Sequence, residues 1–268
     1  MGRDVARQIA VVISFVLTLI INALASTGAL GGLTTQQIAT RYPIYFLPAN
    51  FTFGIWGVIY LALAVYAVYQ ALPSQREQPM QRAVGWLVVL IGLFNCLWLV
   101  AFQNTQFAAS MVAMLALLAT LLIIYIRLGI GRIPVSAKTR LLVTLPFSLY
   151  LGWITVATIA NASYVLYDAK WDGFGIAGAT WAVIMLLMAG ALTLFIAATR
   201  GDVAYLLVVI WAFFGIWVRQ ADVQQVDAVA GVAALVLAAG AFCQRCRCPC
   251  GYWSTAFSSR ARAANWLL

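Results

Sequence analysis

The chain has 268 residues, of which 65% are hydrophobic and only 9% are charged, and its mean hydropathy is +0.97. Such a composition excludes a soluble globular domain, which needs far more polar surface. The net charge of +9 does not indicate a nucleic-acid-binding protein, because the basic residues lie between apolar runs and not on one polar face. The absence of histidine excludes Ser-His-Asp and Cys-His catalysis and His-ligated zinc or haem.

Apolar runs of about 20 residues, the length that crosses a bilayer as a helix, follow one another along the chain. In a membrane the backbone polar groups have to be paired internally, and runs of this length favour helices over the alternating strands of a barrel. We therefore predict an all-α integral membrane protein embedded in the lipid bilayer. The predicted spans are eight, at residues 8–25, 50–71, 83–102, 107–127, 140–161, 175–198, 203–218 and 224–242.

The first span has a second interpretation. Arg3 and Arg7 precede it and Ala23-Leu24-Ala25 resembles a signal-peptidase site, so cleavage would leave seven spans. Basic residues favour the eight-span model with both termini cytoplasmic, because cytoplasmic segments are enriched in Lys and Arg. The predicted outside segments carry Arg41, Lys170 and Arg219. The inside segments carry Arg3, Arg7, Arg76, Arg82, Arg127, Arg132, Lys138, Arg140, Arg200, Arg245, Arg247, Arg260 and Arg262.

Ionisable residues are nearly absent from the spans, although such residues carry most intramembrane chemistry. Asp202, Arg219, Asp222 and Asp227 lie at span ends. Both lysines lie in loops, which excludes a retinal Schiff base in the centre of a span. We predict no catalytic residue, no metal site and no enzymatic activity.

Aromatic and amide side chains instead recur at helical spacing in three of the spans. Residues three or four apart share one face of a helix, so each span presents one stripe. The second span contributes Phe53, Trp56 and Tyr60; the third contributes Asn95, Trp98 and Phe102; the fifth contributes Tyr150, Trp153, Ala157 and Asn161.

These stripes predict an apolar cavity with a few polar groups, which is the usual composition of a small-molecule site. Flat rings suit a polycyclic ligand. Gly54, Gly57 and Gly152 are predicted to permit close approach of the helices. Two alternatives stay open: the rings are packing contacts, and Asn95 makes an interhelical hydrogen bond.

The three stripes resemble motifs of the tryptophan-rich sensory protein/translocator protein (TspO) family. The second span resembles its Phe-Gly-x-x-Trp-x-x-x-Tyr signature, the third its Asn-x-x-Trp-x-x-x-Phe, and the fifth its Trp-x-x-x-Ala-x-x-x-Asn. The resemblance covers about residues 8–163 and implies a five-helix bundle whose outer first loop, here 26–48, closes a cavity for porphyrins or sterol-like molecules. One departure is Leu47-Pro48-Ala49-Asn50-Phe51, where the family has Pro-Pro-x-Trp, so one tryptophan of the pocket is missing.

Three regions are expected: a TspO-like bundle at 1–163, three further transmembrane helices at 164–242, and a Cys/Arg-rich cytoplasmic tail at 243–268. The further helices are interpreted as scaffolding, and their Phe214-Gly215-Ile216-Trp217 repeats the tetrapeptide that begins at Phe53. Cys243, Cys246, Cys248 and Cys250 are spaced more tightly than zinc knuckles, which favours a reduced juxtamembrane cluster over a metal site.

The predicted function is a membrane sensor, carrier or scavenger that binds a hydrophobic polycycle such as a tetrapyrrole; no resident cofactor is expected. Transport of a small or lipidic solute is the alternative, although we see no polar broken helices. An intramembrane enzyme would have to rely on Tyr, Ser or Thr alone. A homodimer is a candidate assembly, and no nucleic-acid partner is expected.

Overall fold

The computed structural model describes residues 2–246, and their side chains as far as residue 240, so the predicted cysteine cluster lies outside the described side chains. Within this range the chain is helical and contains no β-strand, which confirms the predicted all-α fold. The helices are α1 (Gly2–Ser26), α2 (Thr35–Arg41), α3 (Ile55–Ala71), α4 (Pro79–Gln103), α5 (Phe107–Arg127), α6 (Ala137–Thr139), α7 (Leu145–Asp168), α8 (Gly178–Arg200), α9 (Val203–Arg219) and α10 (Gln224–Cys246). A 3₁₀ turn at Asn50–Gly54 leads into α3, and a π-helical turn at Arg140–Thr144 joins α6 to α7.

Six helical segments in the described range are long and apolar enough to cross a membrane: Gly2–Ser26, Asn50–Ala71, Pro79–Gln103, Phe107–Arg127, Ala137–Asp168 and Gly178–Arg200. They coincide with the first six predicted spans. The apolar helices Val203–Arg219 and Gln224–Gly240 are shorter. With 17 residues, α9 is about 25 Å long at 1.5 Å per residue, slightly less than the hydrocarbon core of a bilayer. That the last two helices also span the membrane therefore stays a prediction.

The outward-facing side chains are apolar, as contact with lipid requires. Val112 on α5 is 70% exposed and Leu235 on α10 is 72% exposed. In a soluble protein, large apolar patches of this kind mark an interaction site. On α5 the exposed apolar surface belongs to one of the six helices that are long enough to cross a bilayer, which supports an integral, multi-pass membrane protein.

The bundle is built from α1, α3, α4, α5 and α7, and α9 attaches the later helices to it. Helix α4 packs against α1 and α5, α7 packs against α3 and α5, and α9 lies between α7 and the α8/α10 pair. At Gly152 on α7, a Cβ atom would lie 3.1 Å from the Tyr205 carbonyl oxygen of α9, which confirms the close approach predicted there. The same prediction is wrong for Gly54 and Gly57, because a Cβ atom at either position would meet nothing within 4 Å.

Basic residues from several helices meet at one end of the bundle. The Asp4 carboxylate lies 2.7 Å from the Arg82 guanidinium, and Arg7 donates a hydrogen bond to the Arg76 carbonyl oxygen. Arg127 donates to the Ala83 carbonyl oxygen at the same end. The chain therefore has one end rich in arginine, which we call the basic end.

The opposite end is formed by α2, the segment after it, and the ends of α7 and α9. The Tyr164 hydroxyl donates to the Ala39 carbonyl oxygen over 2.7 Å, and Gln220 donates to the Tyr45 carbonyl oxygen over 2.8 Å. The end of α9 therefore holds the loop that covers the bundle.

Candidate functional site

Trp56 on α3 is the centre of an aromatic cluster to which α3, α4 and α7 contribute. Its ring stacks on Tyr60 at 5.3 Å between centroids and on Trp98 of α4 at 6.1 Å. The edges of Tyr150 and Trp153 of α7 meet it at 5.9 and 6.1 Å. The stripes from the three helices therefore face one another in the interior of the bundle.

A cavity of about 50 Å³ lies beside this cluster. Seven of the ten candidate residues line it: Phe53, Trp56, Trp98, Phe102, Trp153, Ala157 and Asn161. The remaining lining residues are Thr35, Ala39, Leu47, Pro48, Val156, Ala160 and Tyr164. We call this space the bundle cavity. Because ligand pockets typically enclose 300 Å³ or more, it holds a polycyclic molecule only if part of its wall moves.

The other three candidates, Tyr60, Asn95 and Tyr150, belong to a buried hydrogen-bond network that ties four helices together. Asn22 of α1 donates to the Asn95 side-chain oxygen over 2.9 Å, and Asn95 donates to the Tyr150 hydroxyl over 2.9 Å. The Tyr60 hydroxyl donates to the Asn22 side-chain oxygen over 2.6 Å. Asn95 thus makes the interhelical hydrogen bonds that an amide in an apolar interior requires.

Asn161 and Trp153 differ in how their polar atoms are paired. The Asn161 side-chain oxygen accepts from Trp98 Nε1 and from the Ser110 hydroxyl, both over 3.2 Å. The Trp153 side chain is 3% exposed, and its Nε1–H is buried without a hydrogen-bond partner. A buried unpaired donor costs about 1–3 kcal/mol, so a ligand that brings an acceptor to this N–H recovers that cost.

The cover of the bundle cavity comes from α2 and from Leu47 and Pro48. Thr34 is the N-cap of α2 and forms a capping box in which its hydroxyl accepts from the Gln37 amide. Gln103 of α4 donates to the Thr35 hydroxyl over 3.0 Å, and Tyr164 of α7 donates to Ala39. Side-chain hydrogen bonds therefore hold this short helix over the cavity.

Helix α9 supports the same cover from outside the five-helix bundle. The Ala49 amide donates to the Gly215 carbonyl oxygen over 2.9 Å, and Trp211 Nε1 donates to the Thr52 carbonyl oxygen over 3.0 Å. The later helices therefore help to position the cavity wall, consistent with the scaffolding role predicted for them.

Half of the lining was not among the candidate residues. Tyr164 follows Asn161 by three residues and so extends the predicted stripe on α7, and Val156 and Ala160 lie on the adjacent positions. Helical periodicity is a signal that could have identified these three, although none of them was among the candidates. The lining residues from α2 and the following segment had no such signal, because helical spacing does not report where a loop folds back.

One comparison identifies relatives of the chain. A family model described as TSPO-like protein matches residues 8–243. This match extends the resemblance, which the sequence motifs support as far as residue 163, through the three later helices. Neither the curated proteins nor the solved structures contain a significant match.

Proposed function

The chain belongs to the TSPO-like protein family, and from this membership and the unpaired Trp153 N–H we propose that it binds a hydrophobic polycyclic ligand, such as a porphyrin or a sterol-like molecule, in the bundle cavity. Apart from Thr35 and Asn161 the lining is aromatic and aliphatic, which suits stacking on a flat apolar ligand. The Trp153 N–H is the group that would orient it through a hydrogen bond.

The chemistry of the lining favours binding over catalysis. Of the described residues that line the bundle cavity, none is Asp, Glu, Lys, Arg or Cys. General acid–base or nucleophilic chemistry needs a titratable or nucleophilic group against the substrate. The hydroxyl of Tyr164, the one phenol in the lining, is engaged in a hydrogen bond to the Ala39 carbonyl oxygen. The role we propose is therefore that of a sensor, carrier or scavenger.

Entry of a polycyclic ligand requires the cover to move. The cover carries no cation or carboxylate against the cavity, and a small number of hydrogen bonds hold it. A neutral hydrogen bond contributes about 1 kcal/mol, and the buried side chains of Ile38 and Leu47 add apolar contacts, so the stacking of several ligand rings has to offset both. The bundle beneath it keeps its Asn22–Asn95–Tyr150 network.

Trp153→Phe tests the binding proposal directly. The substitution keeps an aromatic ring and removes only the indole N–H, so we expect protoporphyrin IX to bind about fivefold more weakly, the equivalent of one neutral hydrogen bond. Binding is measured as saturable quenching of tryptophan fluorescence in a titration of the purified full chain in non-ionic detergent.

Trp86→Phe is the matched control, because Trp86 lies on α4, is 55% exposed and does not line the cavity. It removes one tryptophan from the signal and should leave the affinity unchanged. Quenching that does not saturate would contradict porphyrin binding, and equal affinities for the two variants would contradict the hydrogen bond proposed from Trp153.

We also propose that the basic end faces the cytoplasm, with the cover of the bundle cavity outside. Arg7, Arg76, Arg82 and Arg127 gather at the basic end, and cytoplasmic segments are the ones enriched in such residues. Lys170, after α7, lies toward the other end of the same bundle.

The two lysines of the chain, Lys138 and Lys170, provide a clean topology test. On intact cells, a membrane-impermeant amine reagent should label Lys170 and not Lys138, and Lys170→Arg should abolish the labelling. Peptide mapping after extraction identifies the labelled lysine. Labelling of Lys138 alone would invert the proposed orientation.

A further inference from the structure

A second and larger cavity, of about 410 Å³, lies at the end of the bundle opposite the basic end. Its walls come from the segment after α2, the end of α7, the α7–α8 connection and the start of α8. We call it the outer pocket. Its principal side chains are Tyr45, Phe46, Tyr167, Trp171, Asp172 and Trp181.

The outer pocket is separate from the bundle cavity, and the segment from Pro43 to Pro48 divides them. Pro43, Ile44, Tyr45 and Phe46 line the outer pocket, whereas Leu47 and Pro48 line the bundle cavity. The two cavities have no lining residue in common. The outer pocket and the bundle cavity also differ in volume and in the chemistry of their lining residues.

Contacts from the later helices hold the walls of the outer pocket in place. Trp181 of α8 donates its indole N–H to the Gly173 carbonyl oxygen over 3.0 Å, and its ring lies 5.2 Å from that of Trp171 between centroids. Gly178 lets α8 approach Tyr45, since a Cβ atom there would lie 3.2 Å from the Tyr45 ring. Gln220 fixes the Tyr45 carbonyl oxygen. A bundle that ended with α7 would have no such pocket.

Asp172 is the one charged side chain among the described residues that line the outer pocket. One of its carboxylate oxygens accepts a hydrogen bond from the Phe174 amide over 3.0 Å, which fixes the side chain at the start of the 3₁₀ turn Gly173–Gly175. Neither Lys nor Arg contributes to the lining. The pocket therefore offers negative charge to a ligand and no positive charge.

We propose that the outer pocket binds an aromatic organic cation. The faces of Trp and Tyr rings attract a cation, a carboxylate beside them adds Coulombic attraction, and flat ligand rings stack on the indoles. The same features disfavour ligands that carry carboxylates, such as porphyrins. The outer pocket is thus a second site with a ligand of different charge, and it does not depend on the ligand proposed for the bundle cavity.

The test compares N-methylacridinium, a permanent cation, with acridine, which has the same ring system without the methyl group and is neutral at mildly alkaline pH. Equilibrium dialysis against the purified full chain in non-ionic detergent gives both affinities, after subtraction of partitioning into empty micelles. We expect saturable binding of N-methylacridinium that is stronger than that of acridine.

Asp172→Asn removes the charge and keeps the side-chain carbonyl that accepts from Phe174. We expect it to weaken N-methylacridinium binding about fivefold, or about 1 kcal/mol for an exposed charge pair, and to leave acridine binding unchanged. Asp168→Asn is the matched control, because Asp168 is an exposed acid at the end of α7 that does not line the pocket. It should change neither affinity.

Three results would overturn the proposal: no saturable binding of the cation, equal binding of the cation and acridine, or equal effects of Asp172→Asn and Asp168→Asn. Trp153→Phe, which alters only the bundle cavity, should leave N-methylacridinium binding unchanged. If it weakened that binding, the probe would occupy the bundle cavity and the outer pocket would not be its site. Porphyrin binding to the bundle cavity is measured in a separate titration, so either proposal can be contradicted without affecting the other.

Discussion

Gly215→Ala is expected to destabilise the protein by about 1–3 kcal/mol, the usual cost of overpacking a tight interior contact. At Gly215 on α9, a Cβ atom would lie 3.0 Å from Pro48 and still closer to the Thr52 hydroxyl. The Gly215 carbonyl oxygen also accepts from the Ala49 amide. The backbone of α9 thus contacts the segment that carries the cover of the bundle cavity, and an added methyl group separates them.

The repeated tetrapeptide supplies the matched control. Phe53-Gly54-Ile55-Trp56 and Phe214-Gly215-Ile216-Trp217 have the same sequence, yet a Cβ atom at Gly54 would meet nothing within 4 Å. Gly54→Ala should therefore change stability by no more than about 0.5 kcal/mol, as an open position allows. Reversible unfolding in mixed micelles with increasing SDS measures both. Equal destabilisation by the two substitutions would contradict the contact at Gly215.

Asn95→Leu is expected to cost about 1–3 kcal/mol of stability, because it removes the central member of a buried hydrogen-bond network. The Asn95 side chain is fully buried and has partners on α1 and α7. Leucine has a similar size, so the loss reports the missing amide and not a cavity. Asn22 and Tyr150 each lose a partner in an apolar surrounding where water does not replace it.

Asn104→Leu controls for the chemistry of the substitution, because Asn104 is an exposed amide that ends α4 and bonds only to Val100 of its own helix. It should cost a few tenths of a kcal/mol at most. Tyr150→Phe together with Asn95→Leu should cost less than the sum of the two single changes, since both break the same hydrogen bond. Additive costs would mean that the Asn95–Tyr150 hydrogen bond does not contribute to stability.

The helices and the family were predictable because both depend on local sequence. The apolar run from residue 107 to 127 predicts α5 with the bounds that the structure gives it, since a bilayer sets the length of a span and the charged Arg127 ends it. The aromatic stripes on α3, α4 and α7 carried the resemblance to the TSPO-like family, which the family match confirms. Their convergence on Trp56 follows from spacing of three and four once the helices pack.

The bundle cavity itself was only partly predictable. Spacing placed Trp153 and Asn161 on one face of α7, and both line the cavity. Spacing placed Tyr150 on that face too, but its hydroxyl accepts from Asn95 of α4, which in turn accepts from Asn22 of α1, so Tyr150 belongs to the hydrogen-bond network and does not line the cavity. Which polar groups are paired and which, like the Trp153 N–H, are left unpaired depends on partners from helices distant in sequence.

The sequence by itself determined that this chain is a membrane protein, where its helices lie along the chain and which family it belongs to. Composition, run length and periodicity are properties of neighbouring residues, so they can be read without the tertiary structure. Only the tertiary structure decided that Gly54 is open while Gly215 is in close contact, although both stand in the same tetrapeptide. It likewise decided that the segment around Pro48 divides a narrow apolar cavity from a wider pocket with one carboxylate. The physical reason is that packing distances and cavity volumes arise from contacts between residues distant in sequence, such as Ala49 and Gly215.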